Sequence, residues 1–559
     1  MAVAMRRHIA IATASALTLA GTATFAAAGP PRVTYDLREL AVLDSGSGEA
    51  GAEIVAFDEK NDLVLVTNGA QNRIDIFDLD APTAAFGSLD LSAYGGVQSV
   101  AVKGGKAVAA VAGDTVVEPG FAVFFDPADP AAGIRPVQVG ALPDMVTFTP
   151  NGRFVLVANE GEPRCVDADG NRTTDPTQAT DPEGSISVIP IRKGQPQQAR
   201  TATFTDFNPK KDALASAGVR FTWPGATVAE DAEPEYIAVD PRSRTAYVSL
   251  QENNALAVVD IRRARVTTIL PLGLKDYSKP GNEIDASDRD SDDPRFASRP
   301  AFGMYQPDGL DGWTRWGRQY VVTANEGDGR EYFDNLDNDD DGDLCFIDEA
   351  RVKDVTLDAT VFPNAPDLQE DESLGRLKVS QVALSEFTGG TPPTDGDDPA
   401  DVDGLQYTSL ASYGARSITI WSKRGDLVWD SGSELARTVA AQDPQGWTQR
   451  VPDWATDEYD SRSDDKGVEP ESVVHGRAYG RDLLFVGLER AGGVITYDAT
   501  RPWSPQLQGW TTTAGAISPE GLAFVSGKDS PTGRPLLLVA HEVSGTTVAY
   551  EVVRSRSAR

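Results

Sequence analysis

The chain reads as an all-β protein, a single seven-bladed β-propeller with long acidic loop insertions on one face. Three observations predict it: a recurring strand–turn–strand phrase, near-constant spacing where copies adjoin, and no long amphipathic helical pattern. The phrase is plainest in "PEYIAVDPRSRTAYVSLQENNALAVVDI" (234–261), two apolar runs around a turn and then a third.

Residues 1–28 precede the repeats. Arg6 and Arg7 stand before an apolar run from Ile9 to Ala20, and small residues close the segment at "AAAG". That is the layout of a secretory signal removed after Ala28, by the general or the twin-arginine route; the run is too short for a membrane span. Residues 29–559 are expected to form one exported propeller domain without a transmembrane segment.

Seven copies start at Ala52, Gln98, Pro143, Pro234, Pro307, Pro470 and Pro519. Alternating residues such as Val146 and Phe148 give the period of two of a half-buried strand, and "TPNGR" or "DPRSR" gives the turn. Adjoining copies lie 46, 45 and 49 residues apart, the size of a four-stranded blade of WD40/YVTN-like type. A solenoid and a pair of β-sandwiches are the rival architectures. Radial closure is preferred because it leaves no open sheet edge and needs no capping repeat.

The remaining length is insertion. Segments of about 160–185 and 326–414 leave between second and third strands, at the end where each innermost strand starts. Two acidic stretches, about 265–305 and 433–466, link neighbouring blades. Loops this long are functional or disordered.

The chain carries 84 Asp+Glu against 51 Lys+Arg, a net charge of −33. Such a surplus argues against nucleic acid and anionic lipid as partners and favours divalent cations. Acids also recur at two fixed places in the repeat. Asp144, Glu235, Asp308, Glu471 and Glu520 begin first strands; Glu160, Glu252, Glu326, Glu489 and Glu542 end second strands, with Glu162 and Asp328 just beyond. In a propeller both places face one mouth of the channel. Like charges there repel unless a hard cation such as Ca²⁺ neutralises them, or unless they serve as caps to neighbouring backbone. The parity of Asp144 with Val146 and Phe148 points its side chain into a cleft between blades.

A second cation site is written in "DNDDDGDLCFID" (337–348), which matches a twelve-residue calcium loop. Asp337, Asp339, Asp341 and Asp343 occupy positions 1, 3, 5 and 7, Gly342 takes the sharp turn, and Asp348 stands last. An Asp in place of the final Glu and the lack of flanking helices leave a solvated acidic loop as the alternative. "VDADGN" (166–171) resembles half such a loop. The two cysteines, Cys165 and Cys345, each lie in one of the two same-face insertions; a disulfide between them is expected to pin these together.

Catalytic chemistry is sparse. Besides His8 in the leader there are only His475 and His541, no G-x-S-x-G elbow is present, and histidine-built zinc sites are nearly excluded. Catalysis would fall to a calcium cluster, with Arg330, Lys466, Arg490 and His541 as the candidate side chains and a phosphorylated small molecule as substrate; the alternative is that the basic residues neutralise neighbouring acids and His541 is structural.

The phrases "PDMVTFTPNGRFVLVANEGEP", "VVTANEGDGREY", "YGARSITIW", "DSRSDDKGVEPESV", "GLERAGGVITYD" and "DSPTGRPLLLVAHEVSGTTVAYE" together resemble the choice-of-anchor I family of secreted bacterial proteins, related to animal mesenchyme-specific cell-surface glycoproteins. The resemblance implies a surface-associated propeller that binds cell-surface components. The tail "EVVRSRSAR" shows no anchor signal, so free secretion is expected. Some relatives are regarded as alkaline phosphatases, and the acidic rim looks like that of calcium-dependent β-propeller phytases. These likenesses imply calcium-dependent phosphoric ester hydrolysis as the alternative to a binding scaffold.

Overall fold

The computed structural model describes residues 32–79, 81, 85–291, 294–334, 342–443 and 460–557. The expected leader lies outside them. The protein is all-β. Its main sheets are antiparallel meanders, four-stranded where Val55–Asp58, Val97–Val102, Pro234–Val239 and Pro470–Ala478 open them; the one opened by Pro143–Phe148 has five strands, both Gln195–Pro196 and Arg200–Thr203 pairing with Ser185–Arg192.

Two sheets depart from simple sequence order. The one opened by Leu310–Arg315 and Arg318–Asn325 takes its outer strands, Ser417–Ser422 and Leu427–Asp430, from beyond a long excursion. The last, opened by Pro519–Val525, receives its fourth strand from the N-terminus, where Arg32–Asp44 pairs antiparallel with Thr546–Ser557. The first and last described strands are thereby sewn together. That N-terminal strand is absent from the repeat as read in sequence, because it precedes the first copy.

The innermost strands touch in sequence order and the last touches the first, so the sheets close into the ring of a β-propeller. The cores lie between sheets. Leu65 and Ile76 pack against Val100 and Ala109; Val108 and Ala110 against Val146 and Val155; Leu156 and Ile186 against Ile237 and Val248. Leu536 and Leu538 of the last sheet pack on Val64 and Val66 of the first, which seals the ring. Burying one such leucine contributes about 1.5–3 kcal/mol.

The excursions have structure of their own. Short strands from 274–276, 302–304, 349–351, 378–380 and 411–412 form a further sheet over a separate apolar cluster that includes Tyr277, Phe362 and Tyr407. One boundary needs correcting. The stretch from 265 was expected to leave the sheets at once, but Arg265–Pro271 is an edge strand paired with Ala255–Asp260, and the excursion starts after it. Its charged Arg265 disguises a half-exposed edge strand as loop.

Cys165 and Cys345 form a disulfide with Cα atoms 6.3 Å apart, buried beside Trp223 and Phe346.

Candidate metal centre

Three of the innermost strands enter the ring through the same device. Leu142, Glu469 and Ser518 precede prolines and hold left-handed φ values of 43°, 50° and 61°. Their carbonyls accept the backbone N–H of Glu160, Glu489 and Glu542, respectively, so first-strand start and second-strand end are tied together. A bulge follows: pairing shifts register between Pro143 and Val146, Pro234 and Ile237, Pro470 and Val473, and Pro519 and Leu522. An extra residue in a strand breaks its in–out alternation and re-aims the side chain there. Asp144 therefore turns into the central channel, not into the cleft that its parity with Val146 predicted.

Glycine lets the inner strands approach. The N–H of Gly309 donates to the carbonyl of Glu471, and that of Gly521 to Glu53, both at 3.0 Å. A Cβ at either glycine would lie 2.8 Å and 2.5 Å from those oxygens, closer than any side chain tolerates.

The result is a cavity of about 390 Å³ ringed by Glu53, Gln98, Asp144, Glu235, Asp308, Glu471 and Glu520, the equivalent residue of every inner strand. Glu160, Glu162, Glu252, Glu326 and Asp328 add a second tier from the second strands. Eleven carboxylates line the space, and no Lys, Arg or His is among the lining residues. Two positions escaped the sequence reading. Glu53 sits where the other copies have a Pro-acid pair but follows Ala52, and Gln98 is neutral.

Electrostatics at the ring are severe. Burial, then the charges of Asp308 and Glu252, push Asp144 up to about 7. Burial raises Glu53 to about 7, with Glu542 adding to it, and Glu162 to about 7 beside Glu252. Glu160, Glu235, Glu471 and Glu520 are driven well above the carboxylate range, again by burial first and by neighbouring acids second. One oxygen each of Glu235, Glu252 and Glu520 is buried without a hydrogen-bond partner among the described residues. Oxygens of Asp308, Glu326 and Glu471 lie within 4.8 Å of one another, as do those of Glu326, Glu469 and Glu489. Hard oxygen donors, unsatisfied and converging, fit a divalent cation of the Ca²⁺ class.

The basic candidates stand outside the cavity lining and are already engaged. Arg330, only 2% exposed, is clamped by Asp231 at 3.0 Å and Glu233 at 2.6 Å and donates to Thr222. Lys466 bonds Glu326 and neighbours Asp328 and Glu469; Arg490 meets Glu489 at 3.1 Å. His541 is buried and held neutral, its pKa lowered to about 4 by burial. Glu489 and Glu542 flank the cavity without lining it.

The calcium-loop residues fare differently. Asp337, Asp339 and Asp341 lie outside the described residues. Asp343 donates its N–H to Asp334. Asp348 does not stand open as a terminal ligand: it is fully buried in an ion pair with Arg220 and accepts from Ser380 and Tyr413. Arg220 in turn donates to the carbonyl of Glu252, linking the excursion to the channel rim.

The choice-of-anchor I domain model matches residues 53–502, most of the chain. The chain belongs to the choice-of-anchor I family. Among curated proteins, this choice-of-anchor I chain is 29% identical over 357 residues to a mesenchyme-specific cell surface glycoprotein of Strongylocentrotus purpuratus, a match covering 58% of it and 41% of that relative. It is also 27% identical over 209 residues to Gigasin-3a of Magallana gigas, covering 34% and 67% respectively. The chain thus spans less than half the length of the sea-urchin relative. Among solved structures it is similar to the Cps50 (Swd1) β-propeller domain of Myceliophteria thermophila, with 9% identity, a TM-score of 0.42, and coverage of 93% and 100%. Among the described residues no helix is long and apolar enough to cross a membrane.

Proposed function

We propose that this choice-of-anchor I protein is a secreted seven-bladed propeller that binds divalent cations, Ca²⁺ foremost, in its channel and acts as an extracellular, surface-associated binding scaffold. One observation carries the cation reading: eleven carboxylates converge on a 390 Å³ space whose lining holds no positive charge. Without a cation those acids must take up protons against their nature; a bound Ca²⁺ would release them. The ring of mutually touching inner strands supports the blade count. The signal-like leader and the cell-surface name of the sea-urchin relative support export and surface association.

Bound calcium would polarise a phosphoryl oxygen and stabilise developing charge there, so phosphoesterase activity is the alternative outcome. The ion pairs that engage Arg330, Lys466 and Arg490 weigh against it, since none is left to receive a phosphate.

The test is calorimetric titration of chelator-stripped protein with Ca²⁺, beside turnover of p-nitrophenyl phosphate and phytate at alkaline pH. Binding that Glu235→Gln weakens, without turnover, supports the scaffold. Calcium-dependent turnover abolished by Glu326→Gln replaces it with the esterase.

A further inference from the structure

A patch of exposed aromatic side chains lies at the turn end of the inner strands, away from the acid ring. The inner hairpin Leu310–Arg315/Arg318–Asn325 turns through two residues, Trp316 and Gly317, with φ of 48° and 75°. A two-residue turn with both φ positive favours Asn-Gly or Gly-Gly, and a bulky aromatic there is strained. The corresponding turn of Val97–Val102/Ala107–Val111 obeys the rule with Gly104 and Gly105. The next sheet after Trp316 breaks it again with Tyr479 and Gly480, but Tyr479 has structural employment: it stacks on Tyr35 and donates to the carbonyl of Val552.

Among the described residues Trp316 makes no such hydrogen bond. It is 59% exposed and meets Trp503, 53% exposed, with ring centroids 5.5 Å apart and planes tilted by 35°. Arg315 stacks over its ring at 4.6 Å. Among the described residues neither indole N–H is hydrogen-bonded, and Arg318, Arg477 and Arg501, all exposed, have no carboxylate partner. Eight residues of strand at about 3.3 Å each place this patch roughly 25 Å from the acid ring. Strain retained to display a large exposed ring points to a function for that ring.

We propose that Trp316 and Trp503 form a platform for an acidic polysaccharide. A pyranose ring has one face of C–H groups that stacks on an indole, and a rim of hydroxyls and acid groups for arginines to hold. The two indoles touch, so they offer one continuous outer face and no slot in which a nucleobase could intercalate. The site deepens the scaffold reading by naming a ligand class, but it needs no cation, so the two stand or fall separately.

The experiment is affinity electrophoresis of the full chain in gels containing polygalacturonate or neutral dextran, with EDTA at about 0.15 M salt, where screening leaves local contacts to decide. Polygalacturonate should retard the protein and dextran should not. Trp503→Ala should weaken retardation about tenfold, the worth of one aromatic stack. Trp316→Asn should do the same while raising the melting temperature, because Asn accepts the left-handed turn; Trp503→Tyr should keep most of the binding. Equal retardation of wild type and both loss variants, none at all, retardation by dextran alone, or binding instead to phosphatidylserine vesicles or single-stranded DNA would each overturn the proposal.

Discussion

Carboxyl oxygens of Asp308 and Glu471, carried by neighbouring inner strands, lie within 4.8 Å of each other. Burial raises both above their ordinary values, and the charge of Asp308 pushes Glu471 further up. Two acids can hold that contact only by sharing a proton or a cation. Asp308→Asn keeps a donor for Glu471 and removes one ligand. In EDTA the variant should melt at or slightly above wild type, and its Ca²⁺ affinity should fall at least about tenfold, roughly 1.4 kcal/mol. Thermal melts and calorimetry read the two effects separately.

Stability should depend on pH in an unusual direction. Burial and mutual repulsion lift Glu53, Asp144, Glu162 and Glu489 to about 7 and Glu326 to about 8, against about 4 in an unfolded chain. Between these values the folded protein binds more protons than the unfolded one, so its stability falls as pH rises. In chelator the melting temperature should therefore drop from pH 5 to pH 8. Saturating Ca²⁺ should flatten the curve by replacing the lost protons.

Asp348 tests the calcium loop against the ion pair. With Arg220 fully buried opposite it, Asp348→Ala leaves an uncompensated charge and should cost about 3–5 kcal/mol in denaturant unfolding. Asp348→Asn should lower stability without changing the number of calcium ions bound, since the carboxylate is already spent on Arg220, Ser380 and Tyr413.

The disulfide closes a loop of 180 residues. Replacing Cys165 and Cys345 with serine should destabilise by up to about 5 kcal/mol in the chain-entropy picture. The loss should fall on the excursions, so protease cuts should gather within 160–185 and 326–414 while the sheets stay protected.

Much of this architecture is legible in the sequence because one phrase repeats. Period-two alternation around "TPNGR" and "DPRSR" marks inner hairpins, and the paired acids mark the mouth. What escaped did so for local physical reasons. A bulge cancels the parity that aimed Asp144 at a cleft. Glu53 lacks the proline that flags its counterparts, and the closing strand Arg32–Asp44 borrows its partner from the far end of the chain. Arg330 and Lys466 read equally as phosphate ligands or as partners of nearby acids, because Asp231 and Glu233 reach Arg330, and Glu326 reaches Lys466, only through folding.

The measurement that bears most directly on the central claim is calorimetric Ca²⁺ titration of stripped wild type and of Glu235→Gln/Glu520→Gln, in two buffers of different ionisation enthalpy. Wild type should bind with release of protons, more tightly at pH 8 than at pH 6, and the double variant should not bind. Absence of binding by the wild type, or binding the double variant retains in full without proton release, would contradict that claim.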